Sequence, residues 1–93
     1  MSDERNDYKK REELLRKMIE SVVVPNYPQI ESILSISSFF FRVRCYEVLV
    51  LVDTTTSYTI QKKIDEEINT LFKMASLNEE GINGRDYVDV HFA

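Results

Sequence analysis

Apolar side chains recur at Leu14, Leu15, Met18, Ile19, Val22 and Val23. That spacing makes one stripe at 3.6 residues per turn, so residues 7–23 are predicted to form an amphipathic helix. Asn6 or Asp7 is the expected N-cap, where the helix dipole favours an acid. Val22, Val23 and Val24 weaken helix preference, and Pro25 is expected to stop the helix. Residues 30–53 change period. Leu34 and Ile36 alternate with Ser35 and Ser37, and Phe41, Val43 and Cys45 alternate with Arg42 and Arg44, as strands do. From Val48 to Val52 the run is apolar on both faces, as in a central strand. Twenty-four residues exceed one strand, so a reversal lies inside. Ser37-Ser38 and Arg44-Cys45-Tyr46 are its candidate positions, and strands over 30–42 and 46–53 are preferred. A second helix is predicted over 57–76, with Ile60, Ile64, Ile68, Leu71, Phe72 and Ala75 on its buried stripe. One hydroxyl of Thr54-Thr55-Thr56-Ser57 should cap it. A glycine-containing loop spans 77–86. A last strand follows over 87–92, with Val88, Val90 and Phe92 on one face and Tyr87, Asp89 and His91 on the other.

The order is α-β-β-α-β in a single domain spanning 1–93, with residues 1–6 as a flexible N-terminus. The expected fold class is α+β: a two-layer sandwich with a mainly antiparallel three-stranded sheet in the order 2-1-3 and both helices on one face.

Composition narrows this further. Two glycines and two prolines in 93 residues favour a few long elements over a many-turned β-sandwich. A single cysteine rules out an internal disulfide. No apolar run reaches the roughly 18 residues that a membrane helix needs. The formal net charge is −4. Residues 21–60 hold only three acids and two bases, so the middle of the chain is the buried part. No basic stripe is present to repay a phosphate backbone, which disfavours nucleic acid as a partner. The N-terminal residues carry no signal-peptide h-region, and one free thiol suits a reducing interior. The cytoplasm, of a cell or of an infected cell, is the expected location.

Few constellations carry chemistry. Asp89 and His91 stand at i and i+2 on one strand face. With Asp53 at the end of the neighbouring apolar strand, they could form a metal site or an acid/base pair. The simpler reading is the polar side of an edge strand, where charges discourage edge-to-edge pairing. Gly81-Ile82-Asn83-Gly84 has the GxxG form that clamps nucleotides in KH domains. Glycines that end a helix and make a turn explain it without a ligand. Cys45 follows Arg44 but falls with Val43 and Phe41 by alternation, which favours a buried, inert thiol.

The stretch Tyr46-Glu-Val-Leu-Val-Leu-Val-Asp53, a polar helix, and Val88-Asp-Val-His-Phe92 are similar in layout to the cytosolic domain of cation diffusion facilitators. Those domains are small α-β-β-α-β dimers whose last strand ends near a histidine; the membrane half has no counterpart here. The same stretch also looks like the strand–helix–strand core of nucleotidyltransferases, with Asp53 and Asp89 near strand ends. It lacks that family's Gly-Ser motif and its metal-binding acid pair. Each likeness covers about half the chain and carries no diagnostic motif.

The strongest functional signal concerns partners. Phe39-Phe40-Phe41 cannot all face the helices, and the apolar run from Val48 to Val52 has the same problem. A bare sheet face would leave an apolar patch of the kind that marks an interface. Phe39, Phe40, Phe41, Tyr46, Leu49 and Leu51 are therefore the expected interface residues. The expected function is a small non-enzymatic interaction or structural module. It would self-associate or serve as a subunit of a larger assembly, of which a viral particle is one example. No cofactor is expected. A metal-dependent enzyme or sensor using Asp53, Asp89 and His91, or RNA or nucleotide binding through Gly81–Gly84, are the alternatives.

Overall fold

The computed structural model describes residues 2–41, 43–78 and 87–93, with side chains placed for 9–39, 44–74 and 87–93. Helix α1 spans Ser2–Met18. It starts five residues earlier than the periodicity placed it, and so takes in residues 2–6, which were expected to be flexible. Asn6 and Asp7 are consequently helical rather than capping. The chain then widens into one π-helical stretch, Ile19–Val23, in which the Val24 N–H reaches the Ile19 carbonyl. A 3-10 turn, Val24–Asn26, follows and contains Pro25. Proline has no N–H to continue the ladder, so the α-helix ends here through a wider π turn and then a tighter 3-10 turn. One side of the stripe survives the change, because Leu15, Ile19 and Val23 are buried, whereas Leu14 and Val22, also expected inward, are exposed.

Strand β1 spans Ile30–Phe41 and β2 spans Val43–Val52. They form an antiparallel hairpin that runs from Ile30 opposite Val52 to Phe41 opposite Val43. The reversal falls between Phe41 and Val43, at neither expected position, and Arg42 lies outside the described residues. Irregularities between Ile30 and Ser32, and between Ile33 and Ser35, break the β1 register. They leave Leu34 exposed. Helix α2 spans Tyr58–Asn78 and β3 spans Tyr87–Phe92. The Ser57 hydroxyl accepts the Ile60 N–H at 3.3 Å, which is the expected hydroxyl cap.

The fold is α+β, as expected, but the sheet order is β1-β2-β3 rather than 2-1-3. β3 also pairs in parallel with β2, from Cys45 beside Tyr87 to Val50 beside Phe92. The sheet is thus mixed rather than mainly antiparallel. The physical reason lies in β2. It is the one strand apolar on both faces, and a central position shields both. The crossover through α2 returns the chain in the direction of β2, so β3 docks beside β2 without passing over β1.

Both helices lie on one face. Leu15, Ile19 and Val23 from the first helical segment join Ile64, Ile68 and Phe72 from α2 in one core. The sheet contributes Ile30, Ile33, Tyr46, Val48, Val50, Val52 and Val88. Arg16 Nη1 donates to the Ile33 carbonyl at 2.8 Å, beside the irregularity in β1. Ser38 Oγ donates to Glu12 Oε2 at 2.6 Å. These two bonds hold α1 along β1.

Ile64 is fully buried at the centre of this core. Ile64→Ala should cost about 2–5 kcal/mol in urea unfolding, through lost transfer energy and the cavity left behind. Leu34→Ser, at an exposed position, should change stability by about 0.5 kcal/mol or less.

Candidate functional site

With both helices on one side, the odd-numbered positions of β2 and β3 define a sheet face that no described element covers. Its rows follow from the register. Phe39, Cys45 and Tyr87 lie side by side across the three strands; Ser37, Glu47 and Asp89 form the next row; Ser35, Leu49 and His91 form the third. Phe39 and Tyr87 are nearly half exposed, at 45% and 48%. Leu49 and Leu51 are partly buried between their neighbours. A shallow hollow of about 290 Å³ is lined by Ser35, Ser37, Glu47, Leu49 and His91. This face is mixed in character: apolar at its Phe39–Tyr87 end and polar across its middle.

Tyr46 does not belong to it. Expected at the interface, it is buried in the core on the opposite face, with its ring tilted 53° against Phe72 at 5.3 Å between centroids. Even-numbered residues of β2 face the helices, and Tyr46 follows Val48, Val50 and Val52 inward. The side chains of Phe40 and Phe41 lie outside the described residues.

Cys45 is buried, as alternation suggested, but beneath the uncovered face between Phe39 and Tyr87. Burial pushes its thiol pKa up, and a hydrogen bond with Tyr87 works against that push. The same bond is the main cause that raises the Tyr87 phenol.

The chemical candidates separate. Asp89 Oδ2 and His91 Nε2 stand 3.1 Å apart, and both side chains are more than half exposed. Asp53 is not with them. Its Oδ1 accepts the Thr55 N–H at 2.8 Å and the Thr55 hydroxyl at 2.9 Å, which closes a turn ahead of α2. The two bonds hold its carboxyl below the usual range. The proposed trio is therefore not assembled, and no group of three or more His, Cys, Asp or Glu with metal-holding geometry occurs among the described residues. Asp65, on α2, lies within the electrostatic reach of Asp89 and His91; burial, then the Asp89 charge, raises its pKa. Gly81–Gly84 lies outside the described residues. Arg44 is buried, so it adds nothing to a basic surface.

One feature escaped the sequence reading. A larger hollow, about 520 Å³, opens between the π-helical stretch and α2, lined by Val22, Tyr27, Glu67, Leu71 and Met74 among others. The signal was Val22, which the stripe placed inward and which is 49% exposed. Tyr27 donates a hydrogen bond to Glu67, and that bond is the main cause raising the Tyr27 pKa from 10.0 to about 12. Glu67 Oε2 is buried without a partner among the described residues.

The arrangement defines a small α+β sandwich with a mixed sheet and one uncovered face. The MamB CTD of a magnetosome protein from Desulfamplus magnetovallimortis BW-1 has a similar structure. The likeness covers 83% of this chain and 91% of that one, with a TM-score of 0.57 and 21% identity. At that identity it shows the fold alone. No protein-family model matches the chain, and no curated protein matches it. Among the described residues no helix is long and apolar enough to cross a membrane.

Two measurements check these environments. Cys45 should react with a maleimide only slowly in the native protein and rapidly once urea unfolds it, because burial both blocks the sulfur and disfavours the thiolate. Tyr27, raised in the fold, supports stability fully below pH 10 and loses that contribution as pH climbs through about 12. Glu67→Gln should bring the Tyr27 titration, followed by ring NMR shifts, back toward 10.0.

Proposed function

We propose that this chain is a non-enzymatic interaction module, which self-associates or serves as a subunit of a larger protein assembly. One observation carries the reading. Both helices pack on the same side of the sheet, which leaves Phe39, Leu49, Leu51 and Tyr87 on a face that nothing else in the described chain covers. Exposed aromatic side chains beside half-buried leucines, rimmed by polar residues, suit protein contact. The separation of Asp53 from Asp89 and His91 favours this reading over metal chemistry. The buried, unpaired thiol of Cys45 suits a reducing compartment, and we place the module in the cytoplasm.

Light scattering coupled to size-exclusion chromatography tests the self-associating branch. The wild type should elute above its 11.0 kDa monomer mass. If the sheet face is what associates, Phe39→Ser, at a half-exposed position, should shift the equilibrium toward monomer, with circular dichroism checking that the variant stays folded. A strictly monomeric protein at high concentration removes self-association and leaves a heteromeric partner.

A further inference from the structure

β3 is an edge strand, and its outer backbone has no partner strand among the described residues. The phase of that edge can be read from its end. The Ala93 N–H donates to the Val50 carbonyl at 2.9 Å, and the Val52 N–H donates to the Ala93 carbonyl at 3.4 Å. Ala93 therefore turns its backbone groups inward, and in the continuous parallel register so do His91, Asp89 and Tyr87. Val88, Val90 and Phe92 turn theirs outward.

We propose that this edge pairs with β3 of a second copy of the chain, antiparallel, about a two-fold axis at Val90. The proposal rests on the reading of the chain as an association module and names a partner and a surface for it: the strand edge rather than the sheet face. Three features of the edge agree on this register. In the backbone, centring on Val90 places Val90 opposite its copy and Val88 opposite Phe92. All three are outward-facing residues, so each N–H and C=O along the edge meets a complementary group. In charge, Asp89 falls opposite the His91 of the copy, and His91 opposite its Asp89. These are non-hydrogen-bonded positions, where side chains approach closest. Within the protomer, Asp89 has the acid Glu47 as its register neighbour on β2 and its own His91 Nε2 at 3.1 Å; pairing at the edge would set a second imidazole, that of the copy, opposite each carboxylate. Centring on Asp89 would oppose two aspartates, and centring on His91 two histidines. The charges that discourage indiscriminate edge pairing thus select one register.

The third feature is apolar. Val90 and Phe92 are only partly buried, and with Tyr58, Lys62 and Asp65 of α2 they line a hollow of about 200 Å³ along this edge. Tyr58 is 77% exposed. In the paired sheet the two α2 helices would flank the axis, and this hollow would face its own copy. A six-residue edge buries less than the roughly 800 Å² per partner of a standard interface. The dimer is accordingly weak and sensitive to dilution.

The test exploits self-complementarity at exposed positions. Asp89→Lys leaves no acid across the edge, and His91→Glu opposes two acids. Each alone should dimerise about tenfold more weakly than the wild type in a light-scattering dilution series. A one-to-one mixture of the two variants restores opposite charges at both positions and should recover a heterodimer. The double variant Asp89→Lys/His91→Glu should dimerise like the wild type, which also checks that the variants fold. In parallel, hydrogen exchange should show the amides of Val88, Val90 and Phe92 gaining protection as concentration rises. A wild type that stays monomeric throughout overturns the proposal, as does a mixture no better than its components. A dimer that dissociates on Phe39→Ser but leaves those three amides unprotected also overturns it, while leaving the association-module reading standing.

Discussion

β2 is apolar on both faces, and the described helices cover only one. Val48, Val50 and Val52 are buried against the helices, and burying such side chains contributes about 1.5–3 kcal/mol each. Leu49 and Leu51 point the other way. Among the described residues no third layer meets them, so they rely on the side chains of the strands to either side. That need places β2 between β1 and β3, and it keeps both neighbours close enough to shade the leucines. The rest of the architecture follows. β1 must come from the hairpin, β3 must come from the crossover, and the crossover makes β3 parallel to β2.

The same constraint sorts residue types on the uncovered face. The outer strands carry Ser35, Ser37, Asp89 and His91 in the rows beside Glu47 and Leu49. Small and charged side chains there tolerate water, while the central row keeps its leucines half hidden. At the Phe39–Tyr87 end the arrangement inverts: a buried thiol is roofed by two half-exposed aromatic rings. The face is therefore not one continuous apolar patch, and any partner bound there would meet an aromatic end and a polar middle.

Much of this was legible in the chain. The two helical stripes, the hydroxyl cap ahead of α2, the buried cysteine and the α+β class all follow from periodicity and residue type. Sheet order did not follow, because the handedness rule constrains a crossover without saying how many strands it passes. The two-faced apolarity of β2 was the better guide to its central place. The hairpin turn escaped because no Gly, Pro, Asn or Asp marks it. Tyr46 went astray for a different reason. It was grouped with nearby aromatics by type, although Tyr46 and Leu49 are an odd number of residues apart and cannot share a strand face. At the candidate site, the Asp89–His91 pairing was visible from their spacing on one strand. The distance to Asp53 was not, since it depends on a turn that Asp53 itself closes through Thr55.

The two edges of the sheet are not equivalent, and the difference bears on how the molecule can associate. β1 carries two register irregularities, and Arg16 and Glu12 tie α1 along it. Bulges and a covering helix are the usual ways in which an edge is made unfit for pairing. β3 carries no such irregularity in its pairing with β2; its outer backbone is regular, and its charges are arranged in self-complementary order. A sheet with two open edges could add copies at both and grow without limit. With β1 closed off, pairing at β3 uses the same surface on both partners and stops at two. The features that make β1 irregular are thus what would keep association at β3 finite.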